Sequence, residues 1–346
     1  MAVTPIEVFV AAGADRWHET QALRGHEAVR LAATPRHATV LLIAGTIPEA
    51  HREALDRVHD QVPHPRTLVT WEDVEASGDI EASGGMVDAI ARSILDHSEA
   101  LSADPSTSSP GRLADEEPNE WRGIGPFGQG GEGMMGGTPY GRAMAMTADD
   151  RDGLTLDQIN LQLGPFAGQL PGGLVADVAL QGEVVQSIEF AVPGDAIVTS
   201  ADRHLTVTRR LQWLSHALHV QGLDPFAARA AGLARRSESP DRDTDLGRAF
   251  ERMRRRLRWT GLHSALRGVG PHGGHDTWAR WTTHLDAISA GLGDTGSRTS
   301  TPPETPTITA AELAATITGL TLTDAVSTII GFDIDVPATT TATVER

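Results

Sequence analysis

The sequence of 346 residues contains no cysteine. That absence removes thiolate-held iron–sulfur clusters, the cysteine ligands of nickel–iron centres, disulfides and cysteine nucleophiles together. Lysine is missing too, so all 29 basic side chains are arginine, and neither a lysine Schiff base nor a phosphate-loop lysine is available. Aromatic residues make up 4%, with Tyr140 the single tyrosine, which leaves few members for an aromatic cage or a base-stacking platform. Basic charge is short overall: 46 acidic residues bring the formal net charge to -17. Nucleic-acid affinity comes largely from phosphate neutralisation, so nucleic acid is a poor partner and basic surfaces are better ones. No run of about 18 apolar residues and no basic-plus-apolar leader occurs, which leads us to expect an intracellular chain, soluble or peripheral on a membrane.

What is present reads as two halves. Residues 6–12, IEVFVAA, and 39–44, TVLLIA, are short apolar runs of the kind that form buried strands, and Thr67 to Trp71 is a third strand candidate. A polar, helix-like stretch separates the first two, and Pro48 to Val62 is amphipathic, with Ala54, Leu55 and Val58 on one face. Strands alternating with helices at this spacing predict a parallel α/β sheet. Residues 101–120, rich in Ser, Pro and acid, read as a linker between domains at 1–100 and 121–346. Alternation from Thr155 to Val192 predicts antiparallel hairpins with a turn at Gln181-Gly182; from Arg203 to Ala290 the pattern is helical and arginine-rich. A Pro/Thr/Ser loop at 294–307, a helix from Ala310 and the apolar AVSTIIGFDID complete the chain.

Residues 34–69 run through a Pro-Arg, a buried strand ending in Ala-Gly-Thr, a helix and an Asp-Gln-x-Pro-x-Pro segment. This resembles the complex I subunit that holds the terminal iron–sulfur cluster, and the hydrogenase small subunit. The resemblance implies a flavodoxin-like fold with the cluster at the carboxyl ends of the strands. The family's paired cysteines fall where this chain reads AAGAD, residues 11–15, and its third falls at Val74. From Trp121 onward the chain resembles the quinone-site subunit and hydrogenase large subunits. MGGTPYGRAMAMTADDRDGLTLD (135–157), LQLGPFAGQLPGGLVADVALQGEVV (161–185), LQWLSHALHVQGLDPFAARA (211–230) and the final 322–346 carry it. The resemblance implies an α+β second domain of antiparallel hairpins plus a helical bundle. Its hairpin tip, reaching towards a quinone headgroup, is FAGQLPGG here, without the family's histidine. It makes Phe166, Gln169, Leu170 and His216 the quinone-facing candidates.

Other motifs have competing readings. Gly123-Ile124-Gly125-Pro126-Phe127-Gly128 fits a dinucleotide fingerprint, but a polar linker precedes it, which favours a close-packing loop. His272, His275 and His284 with Asp276 are candidate metal ligands or a polar loop leading into a helix. His216 and His219 share a helix face, as ligand-facing or as hydrogen-bonded structural groups. Tyr140 and Arg142, with Asp149, Asp150, Arg151 and Asp152, suit the interface between the halves. RMRRRLR, 252–258, presents arginine on nearly every helical face, as a solvated helix or as a dock for an acidic partner or anionic lipid.

The expectation is a peripheral-arm subunit of a complex-I-like or membrane-bound-hydrogenase-like assembly, on the cytoplasmic face of the cell membrane. It has lost the iron–sulfur and nickel ligands and serves coupling or structure beside antiporter-like membrane-arm subunits and other complex-I-like subunits. The alternative is a quinone-reactive oxidoreductase subunit fed electrons by a partner. A free-standing binding protein is the third class.

Overall fold

The computed structural model describes residues 4–78, 80, 84–114, 146–149, 155–191, 196–199, 206–238, 245–293 and 308–336. The Gly123–Gly128 fingerprint, the Tyr140 and Arg142 motif with Asp150, Arg151 and Asp152, and the 294–307 loop lie outside these residues.

Strands β1 (Ile6–Ala12), β2 (Val29–Leu31), β3 (Val40–Ala44) and β4 (Thr67–Thr70) form a parallel sheet in the order β2-β1-β3-β4. Val8↔Val40 to Ala12↔Ala44 sets the central register. Parallel strands are covered on both faces, which is why IEVFVAA and VLLIA are nearly continuous apolar runs. The two-residue alternation sends Val8 and Leu42 to one face and Phe9, Ala11 and Leu41 to the other. Helix α1 (Trp17–Thr20) and a 3-10 turn, Gln21–Gly25, follow β1, where a longer helix-like stretch and no strand at Val29–Leu31 was expected. Helix α2 (Arg52–Gln61) crosses from β3 to β4, and α3 (Trp71–Ser77) and α4 (Met86–Ala103) complete this half. Val87, Ile90, Ala91 and Ile94, at helical spacing, seat α4 on the Val8 face. Leu55 of α2 covers the opposite face, where Phe166 from the second half joins it.

Residues 101–114, expected as linker, are tied down. Leu101 is buried at the end of α4. The Arg66 backbone N–H donates to Ser108 Oγ (3.0 Å) and its Nε to the Ser109 carbonyl (3.1 Å). Asp60 accepts from the N–H groups of Arg112 (3.0 Å) and Leu113 (2.8 Å). Burial pushes the Asp60 carboxyl up, but the Leu113 N–H, His59, the Arg112 N–H and Arg66 outweigh it and hold it at about 2. The serines that made this stretch look like a linker are the groups that fasten it.

In the second half β5 (Met146–Asp149), β6 (Thr155–Leu163), β7 (Ala176–Gln181) and β8 (Val184–Phe190) form an antiparallel sheet in chain order. Gly182, at φ +57°, makes the β7–β8 turn at the expected place. Strand β9 (Ala196–Thr199) pairs antiparallel with β10 (Ile308–Thr309) and β11 (Ile334–Asp335). The helices are α5 (Val207–Val220), α6 (Asp224–Glu238), α7 (Leu246–Leu257), α8 (Leu262–Leu266), α9 (Thr277–Gly293), α10 (Ala310–Ile317) and α11 (Leu322–Gly331). The Thr206 side chain caps α5 by accepting from the Arg209 N–H. Ten of its residues are buried, Arg210 and His216 among them, so α5 is the centre of this core. Helix α7 is amphipathic rather than basic all round: Leu246, Phe250, Met253 and Leu257 face the core. Among the described residues no helix is long and apolar enough to cross a membrane.

Candidate functional site

The carboxyl ends of β1 and β3, where an open α/β sheet presents ligands, are closed by their own loops. Asp15 accepts from the Thr46 N–H (2.9 and 3.1 Å to its two oxygens) and from the Thr46 hydroxyl (3.0 Å). Glu72 accepts from the Gly45 N–H at 2.6 Å. Gly45 has φ +82°, and a Cβ there would stand 2.3 Å from Asp15 Oδ1, so this contact requires glycine. The resemblance puts a four-thiolate cluster here. The donors present are carboxylates already committed to backbone N–H groups, and Val74 packs against the apolar core. These residues do not fit such a cluster.

The 164–174 loop between β6 and β7 lies against these strand ends. A Cβ on Gly172 would sit 2.7 Å from Trp17 Cβ, and one on Gly173 3.5 Å from Ala14 Cβ. Gly25 meets the α6 backbone in the same way, its notional Cβ 2.8 Å from Gly232 N. Arg235 of α6 adds an ion pair to Asp88 of α4 at 2.6 Å. The two halves therefore pack closely at a junction built on small residues that permit close backbone approach, each keeping its own apolar core.

Ionisable groups are buried at that junction and behind it in the second half. Trp17 contacts the His18 and His216 rings edge-on, each at 4.4 Å between centroids. His216 is fully buried, and its Nε2 donates to the Gln169 carbonyl at 3.2 Å. Burial, then the nearby Arg24 charge, drives its pKa well below the usual imidazole range. Arg209 reaches across the junction to His18 Nε2 and also pairs with Asp333 at 3.1 Å. Burial and Arg209 lower the His18 pKa well below normal, against the opposing pull of Asp333. Next to Arg209 on α5, buried Arg210 faces His284, which stacks on Trp213 at 4.0 Å between centroids. Burial holds His284 at about 4, Asp333 opposing and Arg210 and Arg209 assisting. At neutral pH the imidazoles are uncharged and the Arg209–Asp333 pair carries the charge. That pair lies wholly within the second half; across the junction Arg209 meets His18 by a hydrogen bond, and the ion pair that crosses it is Arg235–Asp88.

The sequence candidates fall on this junction unevenly. His216 and Leu170 are buried within it, and Gln169 contributes its backbone carbonyl while its side chain is exposed. Phe166 lines a narrow cleft with Phe9, Trp17 and Arg24 that holds about 40 Å³, room for a few waters. His219 pairs instead with Asp224, at 2.6 Å. The metal candidates do not converge. His272 and His275 bridge through their backbones across a glycine turn, Asp276 caps the N–H groups of Gly268 and Ala279, and His284 is sequestered on Trp213. Among the described residues no group of three His, Asp or Glu side chains is placed to hold a metal ion.

Trp17, His18, Arg209, Arg210 and Asp333 were not singled out in the sequence. Among them Asp333 is a non-glycine residue at φ +48° between Phe332 and Ile334, a strain visible only in the backbone. No protein-family model matches the chain, and no solved structure matches it.

Proposed function

We propose that this chain is a peripheral-arm subunit of a complex-I-like or membrane-bound-hydrogenase-like assembly, acting in coupling or structure and holding no redox centre of its own. The observation that carries the reading is the seating of the 164–174 loop on the strand ends of the first half, beside the Asp15–Thr46 contact. In the family resemblance those two regions flank the quinone site, and here they are joined within one polypeptide. The strand order β2-β1-β3-β4 supports the flavodoxin-like assignment, whose sheet opens in that order. The buried charges at the junction suit a part that transmits movement, because a packed interface carrying desolvated ions has discrete arrangements rather than continuous ones. Its partners on this reading are antiporter-like membrane-arm subunits and other complex-I-like subunits, on the cytoplasmic face of the membrane.

The small cleft favours coupling over the quinone-reactive alternative, since small-molecule sites usually occupy about 300–1,000 Å³. Metal analysis of the purified assembly tests the reading: this subunit is expected to carry no stoichiometric iron. Iron in fixed ratio to this chain, with a matching paramagnetic signal on reduction, would overturn it.

A further inference from the structure

We propose that the solvent face of α7, together with the turn that follows it, is a docking surface for an anionic lipid membrane. The proposal deepens the peripheral reading by naming the surface, and it rests on that reading in placing the chain beside a membrane.

Between Leu246 and Gly268 the chain carries seven arginines against one carboxylate, Glu251, inside a protein of net charge -17. Two of the seven are engaged: Arg248 pairs with Asp245, and Arg254 with Asp286 and Glu251. Arg252, Arg255, Arg256 and Arg258 are exposed and form no ion pair with any described residue. Phe250, Met253 and Leu257 fix which way the helix faces, so these four guanidiniums point to solvent.

The turn then displays an aromatic ring. The Trp259 N–H donates to the Arg256 carbonyl (3.1 Å), the Thr260 hydroxyl to the Leu257 carbonyl (2.8 Å), and Gly261 reverses the chain at φ +80°. Buried Leu262 and Leu266 anchor the far side. The Trp259 backbone is thus held on both sides while its side chain is 90% exposed, in a chain with only seven tryptophans. A fixed backbone with a freely exposed indole has no folding rationale, because burying that ring would be favourable.

Charge and shape select the occupant. Guanidinium groups bind phosphate through paired N–H donors, and indole prefers the headgroup level of a bilayer. A protein partner would need a larger apolar centre than one ring among four charges supplies. Repulsion from the acidic remainder of the chain is screened beyond about 8 Å at physiological salt, so it does not keep this face from the membrane.

The test is co-flotation of the purified full chain with phosphatidylcholine vesicles, with and without phosphatidylglycerol. Binding is expected only with the anionic lipid, weakening as salt is raised. Arg252→Gln and Arg255→Gln are each expected to weaken partition about five-fold, as one cationic side chain at such a surface implies. Trp259→Ser is expected to abolish quenching of tryptophan fluorescence by brominated lipid, with the circular dichroism unchanged. Arg30→Gln and Arg52→Gln, exposed and on the other half, serve as controls and are expected to bind like the parent. Equal binding to neutral and anionic vesicles, or full binding by the α7 variants, overturns the proposal. The readouts separate the two ideas: vesicle binding without co-purifying membrane subunits leaves this surface standing and removes the assembly, and the converse removes the surface alone.

Discussion

Asp333→Asn isolates the buried Arg209–Asp333 ion pair. Asp333 is 1% exposed at its side chain and stands 3.1 Å from Arg209 Nη2, with Arg210 close enough for its charge to be felt. Its φ of +48° is one that asparagine tolerates, so the substitution removes a charge while keeping shape and backbone. Removing one partner of a buried pair costs about 3–5 kcal/mol, because the other charge stays desolvated. Arg209 retains 16% exposure and an amide oxygen still faces it, which sets the expectation at the lower end, about 3 kcal/mol. Urea unfolding at pH 7 measures this as a lower midpoint at unchanged slope, accompanied by a fall of about 4 °C in Tm for a chain of this length. Arg209→Met closes a double-mutant cycle, whose expected coupling energy is about 2 kcal/mol. A loss below about 1 kcal/mol for Asp333→Asn, or a coupling energy of zero, would refute the reasoning.

Acid should destabilise the same region. His284 is held at about 4 in the folded chain, against about 6.5 when unfolded, so the unfolded state takes the proton first as pH falls. Its contribution is complete above pH 6.5 and is lost on the way down to pH 4, about 3 kcal/mol in all, with His18 and His216 acting in the same direction. Urea midpoints that stay level across that range contradict the assignment. Gly172→Val drives a side chain into Trp17 and should cost about 1–3 kcal/mol by overpacking; parent-like thermal stability would show that the 164–174 loop does not pack there. Asp60→Asn loses one of the two acceptor oxygens that hold Arg112 and Leu113, for about 1–2 kcal/mol after allowance for solvent screening. Trypsin should then cut faster after Arg112, and an unchanged cutting rate counts against the strap.

The parallel strands were legible because a strand buried on both faces is an apolar run, and IEVFVAA and TVLLIA are such runs. Strand β2 was not, since only Val29 of its three residues is buried and its pairing comes from β1. The tethering of 101–114 was not legible because serine and aspartate favour linkers and local capping alike, and its anchors, Arg66 and Asp60, lie some 40 to 50 residues away. The arginine run on α7 was noticed, but its two faces emerge only once Met253 and Leu257 are seen to be buried. His216 and the loop tip stood out through the family resemblance. His18, Arg209 and Asp333 are brought together across 191 and 124 positions, and no local spacing marks such a group.

The most direct test of the central claim is affinity purification of the tagged chain from gently solubilised membranes, with mass spectrometry of the proteins that accompany it. Antiporter-like membrane subunits recovered in fixed proportion are the expected result. Recovery of the chain alone, from the fraction without membranes, would contradict the assignment to a complex-I-like assembly.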